Sequence, residues 1–330
     1  PMKKIINDPT AVVDEMLDGL AYIHSDLVYR VEGFDIIARK SEKTGKVGLI
    51  SGGGSGHEPS HAGFVGEGML SAAICGAVFT SPTPDQVLQA IKEADEGAGV
   101  FMVIKNYSGD IMNFEMAQEM AEMEGIEVAS VVVDDDIAVE DSLYTQGRRG
   151  VAGTILVHKI LGDAARAGKS LTEIKALADE LVKKIHTVGL ALSGATVPEV
   201  GKPGFVLADD EIEFGIGIHG EPGYRKEKMQ PSKDLAKELV EKLSQSFELK
   251  SGKKIGILIN GMGATPLMEQ YVFAADVANL LADAGVEVVY KKLGNYMTSI
   301  DMAGISLTFI QLDQTDWLTA LNSPVTTAAW

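Results

Sequence analysis

Val47-Gly48-Leu49-Ile50-Ser51-Gly52-Gly53-Gly54-Ser55-Gly56-His57-Glu58-Pro59 reads as a short apolar strand that runs into a glycine loop. Val47–Ile50 shows no polar alternation, which is the pattern of a strand covered on both faces. The glycines predict a turn, and a helical stretch is expected after it. The same succession recurs downstream. Residues 71–79 read as a second strand, and Pro82-Thr83-Pro84-Asp85 opens a helix over Gln86–Ala94. Residues 99–104 give a third strand, Asp110–Glu124 have helical periodicity, and Glu127–Val133 give a fourth strand. Such β-α-β-α alternation of apolar strands predicts a largely parallel, doubly wound sheet covered on both faces.

Upstream, Asn7-Asp8-Pro9 is a helix start, with a cap residue followed by proline, for a helix reaching about residue 25. Downstream, residues 151–184 read as two helices broken at Gly168-Lys169-Ser170. After Ile185 the character changes. His186–Leu192 and Ile212–Ile218 read as strands, and Ser232–Phe247 as an amphipathic helix. Lys254–Asn260 is a strand, Pro266–Ala284 a helix, and Val286–Lys292 and Ile305–Leu312 are strands. The expectation is an α/β protein of two domains, residues 1–185 and a smaller 186–330 with a mixed sheet. A length of 330 residues, 45% of them hydrophobic, is enough for two such cores.

The formal net charge of -18 argues against nucleic acid, and the lysine pairs at 183–184 and 253–254 do not offset it. A neutral substrate suits this field better than an anion. The single cysteine, Cys75, lies in the apolar run Ala72–Phe79 and reads as a buried strand residue. One cysteine allows no intrachain disulfide, which favours a reducing, cytoplasmic setting. Lys3-Lys4-Ile5-Ile6 before Asn7-Asp8-Pro9 does not read as a signal peptide, and no apolar run is long enough to span a membrane.

Three segments are candidates for chemistry. The glycine loop 51–59 follows a strand in a parallel sheet, the end at which such sheets bind ligands. It lacks the Gly-Lys-Ser/Thr of a nucleotide-phosphate loop. Its bland reading is a tight turn, and its functional reading is a small-molecule site containing His57. Gly215-Ile216-Gly217-Ile218-His219-Gly220 matches a dinucleotide fingerprint in form. Glu221-Pro222-Gly223 behind it favours a turn over the required helix, so the segment reads as a strand carrying His219 at its end. Ile104–Asp110 again joins a strand to a helix. There Asp110 is either a helix cap or a carboxylate that converges with Lys105 on the glycine loop. Asn260–Pro266 is a further glycine turn, read as structural or interdomain. Asp134-Asp135-Asp136 reads as a solvated loop start rather than a metal site, because consecutive strand residues point to opposite faces. His24, His61, His158 and His186 are taken as structural, and no metal site is expected.

Together, Gly-Gly-Gly-Ser-Gly-His-Glu-Pro at 52–59, Ile-Lys-Asn-Tyr-Ser-Gly-Asp at 104–110 and Gly-Ile-His-Gly-Glu-Pro-Gly at 217–223 resemble the dihydroxyacetone-binding (K) subunits of dihydroxyacetone kinases, of the phosphotransferase-system-dependent type. Phe79–Pro82, Asp141-Ser142-Leu143-Tyr144-Thr145, Gly147–Gly150 and Gly263–Leu267 extend the resemblance over essentially the whole chain. It implies that His219 adds to the substrate ketone as a hemiaminal and that His57 hydrogen-bonds the substrate. It implies Asp110 as the general base on the accepting hydroxyl, with Gly54 and Lys105 completing the contacts. Ala77 stands where relatives often carry an acidic residue. Covalent capture would separate a ketone from glycerol by reactivity, where shape alone discriminates poorly.

The resemblance further implies a homodimer that binds no cofactor of its own. ADP and magnesium are expected on a partner kinase subunit, recharged indirectly by a phosphotransferase-system phosphoryl carrier. Two rival readings stand beside this one. The first is a regulatory paralogue that binds dihydroxyacetone as a coactivator, which would need the capture histidine but not the base. The second is a nucleotide-dependent oxidoreductase, suggested only by the glycine patterns.

Overall fold

Two six-stranded sheets organise the chain in the computed structural model, which describes residues 3–142 and 145–330. Leu143 and Tyr144 of the 141–145 motif, like Pro1 and Met2, lie outside the described residues. The elements of the first half are α1 (Val12–Ile23), β1 (Val28–Arg30), β2 (Ile36–Arg39), β3 (Gly48–Ser55), β4 (Ala72–Val78), α2 (Pro84–Ala94), β5 (Val100–Lys105), α3 (Ser108–Met123), β6 (Val128–Val133), α4 (Thr154–Arg166) and α5 (Leu171–Leu181). Those of the second half are β7 (Ile185–Ala191), β8 (Glu211–Phe214), β9 (Arg225–Lys228), α6 (Ser232–Ser246), β10 (Lys254–Gly261), α7 (Leu267–Asp283), β11 (Glu287–Gly294), β12 (Gly304–Gln311) and α8 (Thr315–Asn322).

The first sheet has the order β1-β2-β4-β3-β5-β6. Strands β4, β3, β5 and β6 are mutually parallel, and β1 and β2 close one edge antiparallel. Successive strand residues point to opposite faces, and the burial follows that rule. Leu49, Ala73, Phe101, Val103 and Val131 face the core shared with α1, α4 and α5. Ile50, Ala72, Ile74, Met102 and Ile104 face the core under α2 and α3. The sheet is therefore doubly wound.

The second sheet, β11-β10-β12-β7-β8-β9, is mixed, with only β10 and β11 parallel. Val188, Leu190, Ile257, Leu307 and Phe309 on one face pack under α6 and α7. Leu258 and Ile310 of its other face join the core of the first sheet. The cores of the two units thus meet, and the contact fixes their relative placement.

Three local expectations need correction. The glycine stretch is not a turn leading to a helix. β3 continues through it to Ser55, pairing Gly52 with Ile74 and Gly54 with Gly76. Beyond it only a short 3-10 turn forms, at Ala62–Phe64. Glycine is needed there because the neighbouring backbone comes so near; a Cβ on Gly54 would lie 2.5 Å from Thr80 N. Second, the strand expected over 212–218 ends at Phe214, and a left-handed Gly215 (φ 80°) turns the chain out of the sheet. Third, the aspartate triplet is not a solvated loop start beyond Asp134. Asp135 is buried, accepting Val151 N, Gly153 N and Thr187 Oγ1, and buried Asp136 pairs with Arg149.

Candidate active site

His57 lies just beyond β3, at the C-terminal edge of the parallel strands, where such sheets carry their sites. It is fully buried. Its Nδ1 is 2.6 Å from the carbonyl oxygen of Thr298, which can only accept, so Nδ1 carries the proton. Its ring stacks on Phe79, with centroids 5.3 Å apart and planes 14° from parallel. Burial first, then the neighbouring Lys105 and His219, hold the imidazole well below its usual range. The ring is therefore neutral at physiological pH, and its Nε2 is a lone-pair acceptor.

That acceptor faces the second unit. His57 Nε2 is 3.2 Å from His219 Nε2. Two bare nitrogens would repel at this distance, so a proton lies between the rings, supplied by His219. His219 leaves β8 through the left-handed turn at Gly215 and presents its ring edge-on to Phe79 (5.3 Å) and to Tyr107 (4.6 Å). Phe79 itself adopts φ 57°, a left-handed conformation that costs a side chain about 1–2 kcal/mol and that tends to be kept where function needs it.

Lys105 and Asp110 come from the end of β5 and the first turn of α3. Asp110 does not cap the helix. The cap position is Tyr107, and the carboxylate instead accepts the hydroxyl of Ser81 from the segment after β4. Asp110 is buried; burial raises its pKa, while Lys105 and the Ser81 hydroxyl pull it back down. Lys105 Nζ is buried and has no hydrogen-bond partner among the described residues. Burial lowers its pKa, and Asp110 and Glu221 are the leading groups that oppose this. A Cβ on Gly53 would lie 3.1 Å from Lys105 Nζ and 3.5 Å from Asp110 Oδ2, so the bare glycine backbone lets both groups approach the loop. Gly54 lies one residue on, against the Phe79–Thr80 backbone.

All five residues singled out from sequence therefore lie around one centre: His57, Gly54, Lys105 and Asp110 from the first unit and His219 from the second. Further residues support this centre. Glu221, two residues past His219, accepts the His219 backbone N–H at 2.7 Å, and its Oε2 is 3.5 Å from His219 Nδ1. Buried Arg149 donates to Asp136 at 2.7 Å and to the Gly215 carbonyl at 2.7 Å, bracing the loop that carries His219. Tyr107 OH donates to Gly150 O at 2.9 Å. Glu221, Arg149 and Tyr107 all stand inside the quoted motifs, which is the signal that pointed to them; Thr298 has no such signal. The histidines read as structural include a buried pair, with His61 Nδ1 2.9 Å from His158 Nε2. His186 bonds Ser246 and stacks on Phe247. Cys75 is buried in β4, and burial pushes its thiol up to about 12. No group of three or more metal-ligating side chains occurs among the described residues.

With this geometry in hand, comparison with known proteins is decisive: residues 18–329 match the Dak1 domain. The chain belongs to the Dak1 family. It is 68% identical over 328 residues to the dihydroxyacetone-binding subunit DhaK of the PTS-dependent dihydroxyacetone kinase of Lactococcus lactis, covering 99% of each chain. Among solved structures, the dihydroxyacetone kinase operon co-activator DhaQ superposes with a TM-score of 0.90 at 46% identity, covering 96% of this chain and 97% of that one. The dihydroxyacetone kinase of C. freundii, in complex with AMP-PNP and Mg2+, superposes with a TM-score of 0.90 at 34% identity, covering all of this Dak1 chain and 61% of that longer one. In this Dak1 chain the 215–220 glycines open no helix, so the dinucleotide reading has no helix N-terminus to stand on. No helix among the described residues is long and apolar enough to cross a membrane.

Proposed function

We propose that this chain is the dihydroxyacetone-binding subunit of a phosphotransferase-system-dependent dihydroxyacetone kinase and holds its substrate as a hemiaminal on His219. The observation that carries the reading is the 3.2 Å approach of the His57 and His219 Nε2 atoms, one from each unit, beside buried Asp110. In the step proposed, His57 Nε2 takes the proton lying between the rings. The freed lone pair of His219 Nε2 forms a C–N bond to the ketone carbon. The C=O π bond breaks, and its oxygen takes the proton from His57. Burial keeps His57 a weak base, so it passes the proton on. The rings must part to admit the ketone, and the side chain of His219, on its loop, retains 15% exposure.

Asp110 then serves as the general base on the terminal hydroxyl that receives phosphate, giving dihydroxyacetone phosphate. Lys105 and Gly54 hydrogen-bond the substrate. The phosphoryl group comes from an ADP-binding partner subunit, which carries the nucleotide and magnesium and is recharged through the phosphotransferase system. The likeness to the Lactococcus lactis subunit supports this assignment. So does the C. freundii enzyme, whose chain extends beyond the matched portion and whose structure contains a nucleotide analogue and Mg2+. We further propose a cytoplasmic homodimer whose chain divides at residues 185 and 186.

The likeness to the co-activator favours a second reading, a dihydroxyacetone sensor without transfer activity. Buried Lys105 and Asp110 weigh against it, because capture alone needs neither. The test is product formation from dihydroxyacetone with ATP alone, and then with an ADP-loaded partner subunit and its phosphotransferase components. Transfer only with the partner, abolished in Asp110→Ala while substrate still binds, is the expected result. Binding through His219 without transfer by any cognate partner identifies a sensor.

A further inference from the structure

The nucleophilic nitrogen of His219 has to be selected, because either ring nitrogen of an imidazole can give up its proton and attack. Three observations converge on Glu221 as the selector. Its Oε1 accepts the backbone N–H of His219 at 2.7 Å, which fixes the carboxylate against the residue it serves. Its Oε2 stands 3.5 Å from His219 Nδ1, within ion-pair range, and has no hydrogen-bond partner among the described residues. The side chain is buried, and Arg149 is among the charges that act on it. Closure of the turn also depends on this side chain: a Cβ on Gly217 would come within 2.4 Å of Glu221 Oε1. The chain therefore folds back closely on the carboxylate.

We propose that Glu221 is a positioning residue that holds a proton on His219 Nδ1, so that Nε2, whose own proton passes to His57, is the nitrogen that attacks. An ionised carboxylate beside a bare Nδ1 would be repelled, whereas beside Nδ1–H it is attracted. Glu221 also faces the positive ring formed when Nε2 is substituted and Nδ1 keeps its proton, so it stabilises the adduct as well as the approach to it. The division of labour follows from the geometry. His57 exchanges the proton on Nε2, and Glu221 retains the one on Nδ1. Arg149, tied to Asp136 and to the Gly215 carbonyl, keeps the turn and its carboxylate in register. This inference rests on the hemiaminal reading.

The experiment uses the full-length protein labelled with 15N-histidine, together with dihydroxyacetone labelled with 13C at the carbonyl carbon. In the unmodified protein, the expected result is a protonated, pyrrole-like Nδ1 on His219 in the adduct, with the carbon on Nε2, and conversion of the 13C ketone signal to that of a tetrahedral carbon. Glu221→Gln keeps an oxygen for the backbone N–H but turns an amide donor towards Nδ1. It is expected to leave Nδ1 of the adduct without its proton and to slow adduct formation by about a hundredfold or more. Glu221→Asp is expected to restore part of the rate. An unprotonated Nδ1 in the unmodified protein overturns the proposal without any variant, as does Glu221→Gln with unchanged tautomer and rate. A ketone signal that never changes in the unmodified protein instead removes the hemiaminal itself, and Glu221's role with it.

Discussion

Replacing Arg149 with methionine tests whether the loop carrying His219 is braced from beneath. Arg149 is fully buried, and its Nε and Nη2 donate to Asp136 Oδ2 at 2.9 and 2.7 Å. Removing one partner of a buried ion pair costs about 3–5 kcal/mol, because the other charge stays uncompensated. The Gly215 carbonyl, at 2.7 Å from Nη2, also loses its donor, for about 1–3 kcal/mol more. The expected loss is thus roughly 4–8 kcal/mol, a large share of the ~5–15 kcal/mol that holds a typical domain together. Equilibrium urea unfolding measures it, followed by fluorescence of Trp317 and Trp330, both packed on the core of the first sheet. Asp136→Leu added to Arg149→Met removes the orphaned charge and is expected to recover at least about 2 kcal/mol, although the Ala138 N–H then loses its acceptor. A single variant that costs less than about 1 kcal/mol, or a double variant no more stable than the single, refutes the reasoning.

Asp110→Asn is expected to lower phosphoryl transfer by about 10²–10⁴-fold with dihydroxyacetone binding retained, and parallel loss of binding in calorimetry argues instead for a structural role. Stability is expected to fall on mild acidification. His57, His61 and His158 are held neutral chiefly by burial, His158 down to about 3. Unfolded histidines take up protons as pH drops through about 6.5, so each removes about 1.4 kcal/mol per pH unit below that point until its folded value is reached. Asp135, raised by burial from 3.8 to about 6, works in the opposite sense between those values and only partly offsets them. Urea midpoints at about pH 7 and pH 5.5 read the balance, and a midpoint that rises on acidification contradicts it. Cys75, buried with its thiol pushed up to about 12, is expected to resist iodoacetamide until the protein is unfolded; labelling of the native protein at the rate of a free thiol would count against that packing.

Much of the fold and the centre of the site were legible in the sequence, because the signals are local. Apolar runs without alternation gave β4, β5 and β6, and proline after a cap residue marked the 3-10 turn at Pro9–Ala11 that leads into α1 and the start of α2. His57 and Asp110 lie just past strands whose ends meet on one edge of a parallel sheet, so their convergence followed from topology alone. The motif around His219 was visible too, although the residue is delivered by a left-handed turn after Phe214 and not by the strand itself. Glycines 52–54 read as a turn because glycine usually makes one; here they continue a strand, since the neighbouring backbone leaves no room for a Cβ. The short edge strands β1 and β9, and β2 beside β1, carry no legible signal, having too few residues to show a period.

What the tertiary structure alone decided is the state of the buried polar groups. Asp134–Asp136 read as a solvated loop start, because consecutive strand residues point to opposite faces and nothing local in the sequence shows a buried partner. The donors to Asp135 and Asp136 include Thr187, 52 residues away, and Arg149. The proton on His57 Nδ1 is set by a carbonyl 241 residues along the chain, and its Nε2 meets His219 from 162 residues away. Periodicity and turn chemistry report on spacings of a few residues. Desolvation and hydrogen-bond pairing depend on whatever the fold brings within about 3 Å, and that is fixed only when both sheets are in place.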